Sequence, residues 1–295
     1  MKRSVKAKPF LKWAGGKKQI IAHIEKIVKD ISYNKYFEPF LGGGAVFFHL
    51  NPKKAFLNDI NKELINAYEQ VRDDFQKLVE ILDKHKEGHL KFGKDYYYQV
   101  RSLDRSYDYK SMDSVEKAGR FIYLNKTCYN GLYRVNQNGE FNTPIGKYKT
   151  INLYDYNNLK LVSNILQDKE NIKISMEDFR DAVVNYAGPD DLVYFDPPYD
   201  FENSNGFVYY SSNGFSRTDL EDLKILSDEL IRRGCHVLIS NNDTNFVREL
   251  FNEKQYKFSR DNILALRTIN SDGRRRSKRV NEVLIYGHNN LSSSK

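Results

Sequence analysis

Residues 36–44 read Tyr36-Phe37-Glu38-Pro39-Phe40-Leu41-Gly42-Gly43-Gly44, and their reading decides the fold. A short aromatic and apolar run enters three consecutive glycines, which predicts a strand that stops in a tight turn. Ala45 to Leu50 predicts a helix leaving that turn. Lys54-Ala55-Phe56-Leu57-Asn58-Asp59 predicts a second strand that ends in an acid. Strand, glycine turn, helix, strand and acid form the layout of a nucleotide-binding βαβ unit. Glycines let a backbone approach a ligand closely, and the helix that follows aims its amides at the same place. The spacing is not that of the dinucleotide fingerprint G-x-G-x-x-G, so a tight turn without a ligand stays open as the alternative. Asp59 follows Gly42 by 17 residues. An acid about 20 residues after such a turn accepts hydrogen bonds from ribose hydroxyls. The alternative for Asp59 is a surface carboxylate or an N-cap for a helix over Asn61 to Tyr68.

Upstream, Ile20, Ile21, Ile24, Ile27 and Val28 recur at helical spacing and predict a helix over Lys17 to Lys29. Downstream, Asn61 to Leu161 changes character. Charged helical stretches surround Tyr96, Tyr97 and Tyr98, and a turn-rich segment from Asn130 to Lys149 interleaves Tyr, Arg, Asn and Lys. This stretch reads as an insertion. The α/β pattern resumes with strands at Asn171 to Ser175, Leu192 to Phe195 and His236 to Ser240, and a helix over about Thr218 to Arg233 capped by Gly234. Val280 to Tyr286 alternates and is expected to close the sheet. A basic loop, Arg274-Arg275-Arg276-Ser277-Lys278-Arg279, precedes it.

The chain has 295 residues, 40% hydrophobic and 29% charged, which fits a globular protein and not a disordered one. Its formal charge of +8 favours a polyanionic partner without requiring one. Two distant cysteines, Cys128 and Cys235, give neither a disulfide framework nor a zinc spacing; both read as half-buried small apolar residues. No apolar run approaches a membrane span. The basic first 12 residues lack the apolar stretch of a secretory signal, so a reducing cytoplasmic setting is expected.

Asp196-Pro197-Pro198-Tyr199 follows directly on an apolar strand and carries the strongest chemical signal. Two prolines fix φ and remove two amide donors, leaving carbonyls and the Asp196 carboxylate as a dense set of acceptors. An amino group is the donor such a set needs. The ring of Tyr199 can stack on a flat base. An ordinary strand-to-loop turn is the alternative.

With these stretches in place, the chain resembles the Dam-type DNA adenine methyltransferases, including the restriction-modification enzymes that protect GATC. The resemblance rests on Phe10-Leu11-Lys12-Trp13-Ala14-Gly15-Gly16-Lys17, Phe37 to Gly44, Asn58-Asp59, Cys128-Tyr129-Asn130-Gly131-Leu132-Tyr133-Arg134 and Asp196 to Tyr199, which stand in the family's order and cover nearly the whole chain. It implies an α/β fold: the Rossmann-like mixed sheet of S-adenosylmethionine-dependent methyltransferases with an inserted, mostly helical target-recognition domain. The catalytic domain would take residues 1–62 and 166–295, and the DNA-binding insert residues 63–165. The resemblance also implies that Trp13, Lys17, Phe40, Gly42, Gly44 and Asp196 hold S-adenosylmethionine, with Asp59 on the ribose and Asp178-Phe179 near the adenine ring. Where the family often has Gly-Asp-Phe this chain has Glu177-Asp178-Phe179. Lys12 and Arg134 match guanine-reading positions, and Tyr129, Asn130, Leu132 and Pro144 match positions around a flipped adenine.

Physics gives these roles independent content. An arginine can fork onto guanine O6 and N7, and Tyr129 could wedge where a base leaves the stack. A phosphate contact for Arg134 and a packed core ring for Tyr133 are the alternatives. Arg274, Arg275 and Arg276 belong to a run with five cations in six residues, suited to phosphates and blind to sequence.

The expected reaction is transfer of a methyl group from S-adenosylmethionine, leaving S-adenosylhomocysteine, to N6 of an adenine extruded from double-stranded DNA. Asp196, Pro197, Pro198 and Tyr199 would form the catalytic set. Neither cysteine sits at the motif, so direct transfer without a covalent enzyme intermediate or metal is expected, by a monomer. An amino-methyltransferase for another DNA site or base, and an inactive DNA-binding relative, are the competing readings.

Overall fold

The computed structural model describes residues 6–13, 17, 20–148, 150–200, 215–258, 263–266 and 279–289. From the amino end its elements are α1 (Ile21–Val28), β1 (Tyr36–Glu38), α2 (Ala45–Leu50), β2 (Ala55–Asn58), α3 (Lys62–Asp73), α4 (Phe75–Ser102), α5 (Ser114–Thr127) and α6 (Tyr156–Leu166). Then follow β3 (Ile172–Ser175), α7 (Asp181–Val184), β4 (Leu192–Phe195), α8 (Arg217–Arg232), β5 (His236–Asn242), α9 (Asn245–Leu250), β6 (Tyr256–Phe258), β7 (Ile263–Leu266) and β8 (Arg279–Gly287).

The strands form one mixed sheet in the order β3-β2-β1-β4-β5-β8-β6, with β7 also paired to β8. β3, β2, β1, β4 and β5 are mutually parallel, and β8 runs antiparallel to β5, β6 and β7. All four residues of β4 are buried, as expected for a central parallel strand covered on both faces. The strand order reverses between β1 and β4. In open α/β sheets the crevice outside the carboxyl ends of such a pair is where ligands bind. The glycine turn leaves β1 there and Asp196 leaves β4 there.

Every predicted strand forms. One placement differs: the last strand does not close the sheet but lies inside it, between β5 and β6. Val283, Leu284 and Ile285 are buried in succession, which requires cover on both faces. Alternation over Val280 to Tyr286 hid this, and three-residue β6 is too short to register as a pattern.

Successive strand residues face opposite sides, and two cores result. Tyr36, Leu57, Tyr194, Leu238 and Leu284 share one with α1, α3, α5 and α6. Phe37, Val193, Phe195, Val237 and Ile239 share the other with α8. A third cluster, around Tyr97, Tyr123, Leu124, Cys128 and Phe141, lies among residues 97–153. Asn61 caps α3 through Leu64 N (3.0 Å), and Ser216 with Asp219 forms a reciprocal capping box on α8. Both cysteines are fully buried where half-burial was expected, and burial pushes each thiol up to about 12. Among the described residues no helix is long and apolar enough to cross a membrane.

Candidate active site

The glycine turn is built around a tryptophan. Gly42 has φ +49°, and a Cβ there would lie 2.6 Å from Trp13 Cδ1. Only glycine gives both the left-handed backbone and the room for the indole. The Gly42 amide donates to Asp59 Oδ2 (2.9 Å) and its carbonyl accepts from Tyr68 (3.1 Å). The Gly44 amide donates to Leu41 O (2.7 Å). These two amides are engaged within the protein. Asp59 is not the helix cap, since Asn61 takes that place. Its Oδ1 accepts the Asn61 amide (3.0 Å). The half-buried carboxyl is pushed up to about 6, chiefly by burial and against the help of those two amides.

Asn58, which carried no role in the sequence reading, ties the neighbouring strand ends together. Its Nδ2 donates to Pro39 O (3.1 Å) and Glu177 O (3.0 Å); its Oδ1 accepts from Ser175 Oγ (2.9 Å) and Glu177 N (2.8 Å). This fixes the segment that carries Asp178 and Phe179 beside the glycine turn. Phe40 stacks on Phe179 with ring centres 5.2 Å apart, and Phe215 meets Phe40 edge-on at 5.8 Å. Both Asp178 oxygens accept from Arg180 Nη1 (2.9 Å each), and Arg180 continues to Asp219 and Asp222 on α8.

On the other side of the crevice, Asp196 Oδ1 meets Lys17 Nζ at 2.5 Å and accepts from Ser240 Oγ (2.8 Å). Ser240 shares a hydrogen bond with Tyr194 (2.9 Å). Lys17, 5% exposed, also donates to the Tyr199 hydroxyl. Burial opposes the lysine's charge, but Asp196, Tyr194 and Glu282 outweigh it and raise its pKa. Behind this group, Glu38 accepts from Tyr36 (2.8 Å) and the Phe47 amide (3.1 Å); burial first, and Asp196 with it, pushes the carboxyl up to about 8. Downstream of the motif, buried Asp200 is an anchor. Its amide donates to Asn241 Oδ1 (3.0 Å), and its carboxylate accepts from Thr244 (2.7 Å) and Arg217 (2.9 Å). The acceptor-rich loop is thus held at both ends.

Lys12 and the motif residues from 129 to 144 meet near the carboxyl end of α5. Asn125 clamps the Lys12 backbone in both directions, at 2.8 and 2.7 Å. The stem of Lys12 covers Gly131 (φ +67°), where a Cβ would sit 2.5 Å from that of Lys12. Lys12 Nζ donates to Tyr148 (3.1 Å) and Lys126 O (3.2 Å). Tyr129 and Pro144 join through a backbone bond of 2.8 Å, and Leu132 O accepts from Thr143 (2.7 Å). Asn130 adopts φ +56°, and its buried Nδ2 has no hydrogen-bond partner among the described residues. Arg134 is exposed and is aimed by Asn142, whose Oδ1 accepts from Nε at 2.6 Å. Tyr133 is a packed ring, stacked on Trp13.

The structure therefore brings Trp13, Phe40, Gly42, Gly44, Asp59, Asp178 and Phe179 to the crevice edge beside Lys17, Asp196, Pro197, Pro198 and Tyr199. Lys12, Tyr129, Asn130, Leu132, Arg134 and Pro144 form a second group. Ala14, Gly15, Gly16 and Arg274, Arg275 and Arg276 lie outside the described residues. Asn58, Ser240, Asp200, Asn125 and Asn142 were missed. Asn58, Ser240, Asp200 and Asn125 act through partners distant in sequence, so no local pattern marks them, and Asn142 meets Arg134 eight residues away with no helical or strand period to link the two.

Asp59 and Asp196 follow β2 and β4, one on each side of β1, and Asp178 follows β3, beside an aromatic wall. Carboxylates have several acceptor positions each, so beyond their present partners they can accept from a ligand's hydroxyl or amino groups.

A family model for D12 class N6 adenine-specific DNA methyltransferases matches residues 13–269. The chain is 38% identical over 290 residues to the type II methyltransferase M1.LlaDCHI of Lactococcus lactis, covering 98% of each. It is also 38% identical to the type II methyltransferase M.MjaIII of Methanocaldococcus jannaschii, covering 96% of this chain and 100% of the relative. It is 32% identical to the DNA adenine methylase of Haemophilus influenzae, covering 97% and 96%.

Proposed function

The chain belongs to the D12 class of N6 adenine-specific DNA methyltransferases, and on that premise we propose that it methylates adenine in GATC with S-adenosylmethionine as donor. The observation that supports this most is the Asp196 carboxylate at the sheet's switch point, fixed by Ser240 and set across from the glycine turn and Asp59. Residues 1–62 and 166–295 form the catalytic part in this reading, and residues 63–165 the target-recognition insert. A cytoplasmic monomer belongs to the same reading.

Asp59 accepts the ribose hydroxyls, Asp178 the adenine amino group, and Phe40 with Phe179 flanks the ring. Lys17 leaves Asp196 for the carboxylate of the methionine end. When bound, S-adenosylmethionine supplies a methyl group on an electron-poor sulfonium sulfur. The target adenine is turned out of the duplex, because its amino group is paired within it. Tyr199 stacks on the base. Asp196 and the Pro197 carbonyl accept the two amino hydrogens, which turns the nitrogen lone pair toward the methyl and fixes an in-line approach. As the nitrogen–carbon bond forms and the sulfur–carbon bond breaks, positive charge grows on the nitrogen beside the carboxylate, and one proton leaves toward Asp196.

The cofactor half of this reading has a pH signature. Asp59, pushed up to about 6 by burial, accepts hydrogen bonds from both ribose hydroxyls most strongly as a carboxylate. Affinity for S-adenosylhomocysteine should be full well above pH 6 and fall by up to about tenfold per unit below it. Calorimetric titration across that range tests this, and Asp59→Asn should bind weakly with the break removed. Wild-type affinity unchanged down to pH 5 would place the ribose elsewhere. Folding carries the opposite sign. A carboxyl raised from 3.8 to about 6 makes the free protein lose stability as pH rises through that window.

The DNA half rests on Arg134, exposed and aimed by Asn142. Arg134→Ala should cost about 1–3 kcal/mol of discrimination at one base pair, read as binding to matched and singly substituted duplexes. Equal loss on every sequence would mark a phosphate contact instead.

A further inference from the structure

We propose that Tyr133 is a positioning residue that couples the cofactor pocket to the DNA-reading segment, so that each ligand strengthens binding of the other. The inference rests on the cofactor and DNA assignments above, which give Tyr133 no role.

Two short segments run side by side. Lys12 covers Gly131 and Trp13 stacks on Tyr133, with ring centres 5.8 Å apart and planes 24° from parallel. On each segment, a residue assigned to DNA adjoins one at the crevice: Lys12 precedes Trp13, and Tyr133 precedes Arg134. Trp13 in turn fills the space over Gly42, so a ligand at the glycine turn meets the indole that Tyr133 supports.

The other end of Tyr133 touches the opposite side of the same pocket. Its hydroxyl donates to Glu63 Oε2 (3.1 Å) and lies beside the side chain of Asn61. The Asn61 amide holds Asp59 Oδ1 at 3.0 Å. One ring therefore spans the residue over the glycine turn and the neighbour of the ribose acid. Glu63 is itself fixed by Tyr109 (2.8 Å) and Arg120 (3.2 Å), so the hydroxyl is seated on a rigid base. A shift of Trp13 or of the start of α3 on cofactor binding must be felt by Tyr133, and so by Arg134 beside it. The reverse holds for DNA. Binding free energies coupled in this way are reciprocal and span about 5- to 150-fold.

Trp13 is the chain's one tryptophan, so emission excited beyond the tyrosine absorption reports the surroundings of Trp13. The experiment titrates S-adenosylhomocysteine into the full chain with and without a saturating duplex that carries one GATC, following Trp13 emission and heat. In the wild type, the duplex should tighten S-adenosylhomocysteine about tenfold, within the usual range of such couplings, and shift the emission in both titrations. Tyr133→Leu should bind each ligand alone and lose the coupling. Tyr133→Phe, which keeps the stack and the fold but gives up the hydroxyl contacts, should retain only part of it. Coupling of wild-type size in Tyr133→Leu and Tyr133→Phe, or none in a wild type that binds both ligands, overturns the proposal. A wild type that binds no S-adenosylhomocysteine fails earlier, and sinks the cofactor assignment along with it.

Discussion

Replacing Asp196 lowers methyl transfer by about 10²- to 10³-fold or more, the scale for losing one preorganised group aimed at developing charge, while duplex binding survives. The carboxylate is the one charged acceptor that follows β4 directly, and Ser240 holds its Oδ1 in place. The nitrogen becomes positive only as the methyl arrives, so the loss falls on kcat. Two substitutions separate chemistry from folding. Asp196→Asn keeps the shape and an acceptor but removes the charge. Asp196→Ala also strands Lys17, which sits buried at 2.5 Å from that oxygen. Both should lose turnover on that scale. The alanine variant should also melt earlier, because an unpaired buried ammonium is costly. Turnover near the wild-type rate in Asp196→Asn would mean that the carboxylate does not act on the transition state.

The largest expected effect on stability comes from a residue outside the crevice. Arg120, 1% exposed in the middle of α5, meets Asp104 Oδ2 at 2.7 Å and Glu63 Oε1 at 3.2 Å. It also donates to the carbonyls of Val100 (3.0 Å) and Arg101 (2.9 Å). Asp104 passes the link on to the Phe141 amide (2.7 Å), so α3, the end of α4, α5 and the turn-rich segment meet at one guanidinium. Arg120→Ala leaves two carboxylates and two carbonyls without this partner. It should cost about 3–5 kcal/mol, as when one partner of a buried ion pair is removed. Urea denaturation reads this directly. Arg120→Lys should rescue only part, since a point charge cannot make the same fork of bonds. A loss below about 1 kcal/mol in Arg120→Ala, the level of exposed pairs, would show that the pair is solvated and not central.

What the sequence reveals depends on how local the cause is. β4 and its motif are plain because an apolar run followed by two prolines is a local event. The glycine turn and Asp59 are plain because the βαβ unit spans few residues. Asp200 is not, since its meaning depends on Asn241, 41 residues on. Arg120 reads as a surface charge on an amphipathic helix until Glu63, 57 residues away, comes beside it. β8 looked like an edge because alternation cannot say how many strands will flank it. The family resemblance supplied the residues proposed to face DNA, and the residues that hold them, Asn125 and Asn142, came only from the structure.

The most direct test of the account is methyl transfer from labelled S-adenosylmethionine to two matched duplexes, one with GATC and one with that site scrambled. The account predicts label on adenine of the first duplex alone. Equal label on both would remove the GATC assignment, and no label on either, with S-adenosylmethionine unbound, would contradict the central claim.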